Sequence, residues 1–237
     1  RVAREKLSMS HDRPVILMIG PSRIWSTVFM MPYLRLFIAL LKKFQHDQQP
    51  CLIIRGPKTP AGETRALDTF VKTIGLHEHI MLNDSAPLPT LFNASDILIH
   101  GSIGASEEAF LLQAMASGVP VIAPDVPDYR QIIRHEKTGF LVPLVDLDWS
   151  EPDSTRRDHR TSPPLPRKIM DMTGLYADLD RLLSDHESRR LMADRARSHV
   201  LTEFAWSLQA GRLHDVCVEL ARECRKDVDF HPHPDRP

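Results

Sequence analysis

Glycine is scarce in this chain, and so are long apolar runs and any excess of charge of one sign. The 237 residues include 10 glycines, and 30 lysine and arginine residues balance 31 aspartate and glutamate residues. This balance excludes a basic nucleic-acid-binding chain. The longest apolar stretch, residues 28–41, is interrupted by Pro32 and Arg35. It is too short for a membrane-spanning helix, which needs about 20 apolar residues, and membrane contact is not indicated.

Cysteine is also rare. The three cysteines, Cys51, Cys217 and Cys224, are odd in number and far apart, which argues against a disulfide scaffold and indicates a reducing, cytoplasmic location. The sequence has no His-x-x-x-His or Cys-x-x-Cys pair, so neither a metal nor another cofactor is expected. It also lacks the Gly-x-Ser-x-Gly elbow of simple hydrolases.

Short apolar runs alternate with helical patterns over the first two thirds of the chain. The runs predict strands at Val15–Ile19, Cys51–Ile54, Ile80–Leu82, Ile97–Ile99, Val119–Ala123 and Phe140–Val142. The patterns between them predict helices at residues 32–44, 63–74, 88–94, 107–117 and 129–134. Strands separated by helices are typical of βαβ units. We therefore expect an α/β fold, a doubly wound, mostly parallel, Rossmann-like sheet with C-terminal helices.

Composition divides the chain into segments. We expect a flexible arm at residues 1–13, an α/β domain at 14–145, a disordered insertion at 146–167, C-terminal helices on the same domain at 168–226, and a tail at 227–237. The insertion contains almost no large apolar residues. The three C-terminal helices are predicted at residues 169–184, 186–203 and 207–225.

Ligands of doubly wound sheets bind beyond the carboxyl ends of the strands. The loops at this edge are predicted at residues 20–23, 56–59, 101–106 and 124–128. The first of them lacks both the three-glycine dinucleotide fingerprint and a phosphate loop with Gly-Lys-Ser/Thr. A nicotinamide-dependent dehydrogenase is therefore disfavoured.

The segment from Ser102 to Val142 carries a recognisable pattern. Residues 113–123 read QAMASGVPVIA and residues 136–142 read EKTGFLV, with ASDILI at 94–99 before them and FAWS at 204–207 after them. In this order the motifs resemble the C-terminal, nucleotide-sugar-binding half of GT-B glycosyltransferases, family four or "glycosyl transferases group 1". The resemblance extends over about residues 14–225. It implies a retaining sugar transfer from a nucleoside diphosphate sugar.

The resemblance also implies donor-binding residues. The family uses two glutamates eight positions apart, for the donor sugar and the ribose, and these positions hold Ala105 and Gln113 here. Gln113 could still accept one hydrogen bond from the ribose, whereas the Ala105 side chain can form none. Arg23 lies near the family arginine that neutralises the diphosphate. The family lysine is missing, and Lys58 on a neighbouring loop is its candidate replacement.

The start of the next helix allows two interpretations. Glu107 or Glu108 could replace the glutamate missing at Ala105 if the loop is displaced, with the backbone amides of residues 104–107 near the phosphate. Alternatively, Ser106 is an N-cap and the two glutamates complement the helix dipole, which would oppose a diphosphate. The candidate donor-binding residues are Arg23, Lys58, Gly104, Ala105, Ser106, Glu107, Glu108 and Gln113.

The resemblance further implies a partner. Enzymes of this architecture bind the acceptor in a separate N-terminal domain, which we expect to be missing here and to be supplied in cis or by another chain. The chain begins at Arg1, consistent with an excised piece. The apolar group Trp25, Phe29, Met30, Met31 and Tyr33 forms either core or an interface to that half. The isolated chain is then inactive.

A second hypothesis is a catalytically inactive, glycosyltransferase-like binding or scaffolding module. Ala105, Gln113, the missing lysine and the long insertion at 146–167 favour it.

Overall fold

The computed structural model describes residues 2–20, 27–56, 61–83, 85–103, 107–146 and 168–228. Its helices are α1 (Val2–Lys6), α2 (Thr27–Lys43), α3 (Ala61–Thr73), α4 (Leu88–Ala94), α5 (Glu108–Ala116), α6 (Pro127–Arg130), α7 (Met172–Ser184), α8 (His186–Glu203) and α9 (Trp206–Val228). Its strands are β1 (Val15–Ile19), β2 (Cys51–Arg55), β3 (Ile80–Leu82), β4 (Ile97–His100), β5 (Val121–Pro124), β6 (Gly139–Val142), β7 (Leu144–Asp146) and β8 (Lys168–Met170). Two compact units are present, one through Ser198 and one from His199 onward.

The main sheet is parallel and doubly wound. Its strand order is β3-β2-β1-β4-β5-β6, and every neighbouring pair is parallel. The chain moves outward from β1 to β3, crosses back over β1 to β4, and then moves outward to β6. The order therefore reverses between β1 and β4, the switch point at which doubly wound folds bind ligands. The predicted fold class is confirmed.

The strands at the centre are buried on both faces because helices cover both. All five residues of β1 are buried. Ile16 and Met18 belong to the core that β1 shares with α2 and α7. Leu17 alternates with them and so faces the opposite side of the sheet, where α4 contacts β1. Burying one such aliphatic side chain stabilises the fold by about 1.5–3 kcal/mol.

An ion pair closes the amino-terminal edge of the sheet. The Arg4 guanidinium donates to the Asp96 carboxylate at 2.6 Å and to the Ala94 carbonyl at 2.9 Å. The same carboxylate oxygen accepts the Val15 amide at 2.7 Å. The flexibility of residues 1–13 stays a prediction, but the structure places a short helix there and fixes Arg4 to the domain.

Helix α2 begins five residues before the predicted start at Pro32. A proline inside a helix leaves unpaired the carbonyl four residues earlier, which here belongs to the first turn of α2. The cost is small enough for the helix to continue through it. Phe29, Met30 and Tyr33 are buried, so the interpretation as core is confirmed for these three. Trp25 lies outside the described residues.

The start of the C-terminal region differs from the prediction. A helix was predicted from Ile169, but residues 168–170 form β8, which pairs antiparallel with β7. Asp171 then caps α7, because its carboxylate accepts the amides of Thr173 and Gly174. The predicted insertion at 146–167 lies outside the described residues from 147 onward, and the tail does so from 229 onward. Among the helices with assigned positions, none is long and apolar enough to cross a bilayer.

The second unit is dominated by α9, which exceeds its predicted range at both ends. Large apolar side chains of this helix are exposed, namely Trp206, Leu208, Leu213, Val216 and Leu220.

Gly139 is expected to be intolerant of a side chain. A Cβ at this position would lie 2.6 Å from the carbonyl oxygen of Val121 in β5 and 3.1 Å from Cγ2 of Ile133, a buried residue after α6. Gly139→Ala should therefore lower the free energy of unfolding by about 1–3 kcal/mol, as overpacking does. Gly211→Ala is the control, because no atom lies within 4 Å of its Cβ position and alanine favours a helix. Urea unfolding should show a lower free energy of unfolding for Gly139→Ala and a higher one for Gly211→Ala. Equal changes in the two variants would contradict the prediction.

Candidate functional site at the carboxyl edge

Three residues form a row at the carboxyl edge of the sheet. Ile19, the last residue of β1, is in register with Arg55 on β2 and with His100 on β4. Paired residues on parallel strands direct their side chains to the same face, so the three share one face. The row crosses the switch point between β1 and β4. A cation and an imidazole therefore flank the place where the fold predicts a ligand.

A glycine directly follows each of these strands, namely Gly20, Gly56 and Gly101. The Gly101 amide donates to the Ile19 carbonyl at 2.7 Å, and the Gly20 amide donates to the Arg55 carbonyl at 3.3 Å. A Cβ at position 101 would lie 3.3 Å from Cε of Met18. The lack of a side chain there lets the backbone after β4 approach the end of β1 closely.

His100 is fully buried and is held by Tyr129 of α6. Its Nε2 lies 2.9 Å from the Tyr129 hydroxyl, and that hydroxyl donates to the Ser102 carbonyl at 3.2 Å. With the hydroxyl proton directed to Ser102, Nε2 is the protonated nitrogen and donates to the tyrosine oxygen. Nδ1 is then an acceptor. It is buried and has no hydrogen-bond partner.

Burial lowers the pKa of His100 to about 4, and the nearby charge of Glu108 opposes the shift without cancelling it. The imidazole is therefore neutral at pH 7. Its 3.5 Å contact with the Glu107 carboxylate is not an ion pair under these conditions. Oε2 of Glu107, which makes this contact, is buried and accepts no hydrogen bond.

Arg55 is half-buried, and its Nη1 is buried without a partner. Arg130 of α6 differs from Arg55, because it forms two hydrogen bonds to Asp125, at 2.5 and 2.9 Å. That interaction lowers the pKa of Asp125. Arg55 thus retains hydrogen-bonding capacity that Arg130 has already used.

Comparison with known proteins identifies the fold's family. The sequence profile of the family described as "Glycosyl transferases group 1" matches residues 13–148, more than half of the chain. The chain belongs to this family. The group 1 resemblance of the motifs is confirmed.

Two relatives illustrate the match. Glycosyltransferase 1 domain-containing protein 1 of Xenopus tropicalis is 24% identical over 187 residues, which are 78% of this chain and 46% of that protein. D-inositol 3-phosphate glycosyltransferase of Jonesia denitrificans is 32% identical over 113 residues, 45% of this chain and 26% of that protein. This group 1 chain spans less than half the length of these curated relatives.

Solved structures show the same fold. The C-terminal domain of the group 1 protein LpcC from Francisella tularensis superposes with a TM-score of 0.61 at 22% identity, covering 86% of this chain and 91% of that chain. HepE of Anabaena, solved with UDP and glucose, gives a TM-score of 0.63 at 16% identity, covering 91% of this chain and 51% of that chain. The group 1 domain described here is thus similar to the C-terminal half of a GT-B glycosyltransferase.

Five predicted donor-binding residues lie outside the described residues, namely Arg23, Lys58, Gly104, Ala105 and Ser106. The prediction of Ser106 as the N-cap is wrong, because Glu107 occupies that position and α5 begins at Glu108. The Glu107 carboxylate does not cap the helix and lies against His100 instead. Gln113 is exposed on α5. The donor-binding roles of all these residues stay predictions.

Sequence reasoning missed Arg55, His100 and Tyr129. One signal was present, because Arg55 and His100 each follow three apolar strand residues directly, at the edge where ligands bind. Their burial, however, depends on strands and helices distant in the sequence. In the parts of the chain with assigned positions, no three histidine, cysteine or acidic side chains are grouped as they would be to hold a metal ion.

Acid is expected to destabilise the fold through His100. The imidazole titrates at about 4 in the folded chain and at 6.5 without burial, so between these values only the unfolded chain takes up the proton. The contribution of neutral His100 is complete above pH 6.5 and is lost as the pH falls toward 4, by about 3 kcal/mol at most.

Asp178 acts in the opposite direction, because burial raises its pKa to about 6. The test therefore compares the unsubstituted chain with His100→Gln, since both contain Asp178. We measure the free energy of unfolding of both chains in urea at several pH values between 7 and 4.5. As the pH falls, the unsubstituted chain should lose stability relative to His100→Gln. A difference independent of pH would contradict the prediction.

Proposed function

We propose that this chain is the donor-binding half of a retaining glycosyltransferase, which transfers a sugar from a nucleoside diphosphate sugar. One observation carries the proposal: a group 1 fold has polar side chains with unused hydrogen-bonding capacity at its carboxyl edge. These side chains flank the switch point between β1 and β4, where doubly wound folds bind nucleotides. The UDP and glucose found with HepE, a protein of the same fold, support a nucleotide sugar as the ligand.

The donor site would combine cations with hydrogen-bonding groups. Arg23 and Lys58 would bind the diphosphate, as the family resemblance implies, and their positive charge would stabilise a leaving phosphate without a metal or other cofactor. Gln113 would accept one hydrogen bond from the ribose. Glu107 or Glu108 would contact the donor sugar in place of the glutamate absent at Ala105.

The acceptor site is proposed to come from outside this chain. The chain spans 46% of the Xenopus relative, and the remaining length of such proteins is enough for a second domain. That domain would be supplied in cis or by another chain, in the cytoplasm. This chain alone is then expected to bind the donor without transferring the sugar.

A second candidate is an inactive binding or scaffolding module. It is favoured by Ala105 and Gln113, which replace carboxylates that the resemblance implies at these two positions. An amide binds a ribose hydroxyl more weakly than a carboxylate, and a methyl group does not bind one.

Calorimetric titration of the purified chain with UDP, GDP and ADP tests the proposal. We expect one nucleotide to bind saturably and Arg23→Ala to weaken its binding at least fivefold, because a charge-assisted hydrogen bond to phosphate is lost. Arg195→Ala is the matched control, since Arg195 is an exposed arginine of α8. Flat titrations with all three nucleotides on folded protein would contradict the donor-binding proposal.

Restoring the two carboxylates separates the candidates. If the site has only lost these groups, the double variant Ala105→Glu, Gln113→Glu should bind the nucleotide sugar several-fold more tightly than the unsubstituted chain. If the loop geometry itself has changed, neither substitution will help, and the scaffolding module is favoured. Circular dichroism and the urea midpoint serve as controls for folding.

A further inference from the structure

The buried polar atoms without partners are concentrated in one place. In the part of the chain with assigned positions, the buried side-chain nitrogen and oxygen atoms that lack a hydrogen bond are Nη1 of Arg55, Nδ1 of His100 and Oε2 of Glu107. All three belong to the carboxyl edge. Folded proteins pair nearly all such atoms, so a cluster of unpaired ones indicates that something else completes them.

The unpaired atoms require opposite properties of the ligand groups that would bind them. Nη1 of Arg55 is a donor on a permanent cation, whereas Oε2 of Glu107 is a carboxylate acceptor that touches His100. Arg55 and His100 are separated by one strand, which places their Cα atoms roughly 9.5 Å apart. A complementary ligand is therefore anionic over β2 and carries hydrogen-bond donors over β4.

Negative charges at the start of α5 also disfavour the binding of a phosphate group there. Glu107 is the N-cap residue of this helix and Glu108 lies in its first turn. Two carboxylates complement the positive end of the helix dipole and repel an anion placed there. A phosphate group in this edge is thus directed away from β4 and α5, toward the cation at the end of β2.

We propose that Arg55 binds a phosphate group of the nucleotide ligand, so that the donor lies across β1 with its sugar at Glu107, one of the two carboxylates that the proposed function already assigns to the sugar. This assignment rests on the proposed donor-binding function and specifies how the donor lies across the edge. The guanidinium of Arg55 supplies the anion contact through Nη1. The neutral imidazole of His100 positions the Glu107 carboxylate without neutralising it.

The experiment is calorimetry with the nucleoside diphosphate that binds best, its nucleoside, and the corresponding nucleotide sugar such as UDP-glucose. Arg55→Met removes the charge and keeps the length of the side chain, and Arg195→Met makes the same change on the exposed face of α8. We expect Arg55→Met to lower the affinity for the diphosphate and for the nucleotide sugar at least tenfold each, and to change the affinity for the nucleoside less than twofold. Arg195→Met should change none of them.

Glu107→Gln tests the orientation. It should lower the affinity for the nucleotide sugar at least fivefold and leave the affinity for the diphosphate unchanged, because the diphosphate lacks the hydroxyl groups of the transferred sugar. If the affinity for the diphosphate fell as much as the affinity for the nucleotide sugar, the assigned orientation would be overturned.

The two proposals fail differently. If the unsubstituted chain binds no nucleotide, the donor-binding function fails and the Arg55 assignment is overturned with it. If it binds diphosphate and Arg55→Met binds equally well, the assignment alone is overturned. Should Arg55→Met unfold, Arg55→Lys replaces it. The lysine keeps the charge but lacks the planar fork, so threefold to tenfold weaker diphosphate binding is expected, and unchanged binding would overturn the assignment.

Discussion

The double pairing of β1 is the constraint on which the carboxyl edge of the sheet depends. Because β1 is hydrogen-bonded to β2 on one side and to β4 on the other, its last residue, Ile19, fixes where Arg55 and His100 can lie. The strand order reverses at the same place. Topology therefore brings a cation and a neutral imidazole to the two sides of one strand, although 45 residues separate them in the sequence.

The unpaired polar atoms at the carboxyl edge destabilise the folded chain. A buried polar atom without a hydrogen bond costs about 1–3 kcal/mol, and three such atoms occur together here. A domain of ordinary stability, about 5–15 kcal/mol, can tolerate that cost but not much more. A ligand that pairs these atoms would stabilise the folded chain as well as occupy the site, because it binds only the folded form.

The sequence predicted what depends on local pattern. Apolar runs such as Val15–Ile19 located the parallel strands, and their order implied the edge where ligands bind. What depends on distant residues was missed: β8 pairs with β7 across more than 20 intervening residues, and its two buried residues resemble the start of a helix locally. Ser106 was preferred as a cap on residue type alone. Arg55 directly follows the predicted strand Cys51–Ile54 and was given no role, because nothing in its immediate neighbours indicates burial.

The ion pair of Arg4 and Asp96 fixes a register as well as closing an edge. Asp96 immediately precedes β4 and its carboxylate accepts the amide of the first residue of β1. A slip of one residue between these strands would break that bond and turn the side chain of His100 to the other face of the sheet. The alignment of the carboxyl edge is thus set from the opposite end of the strands, roughly 13 Å away. An ion pair at the amino-terminal edge therefore determines which side chains come together at the carboxyl edge.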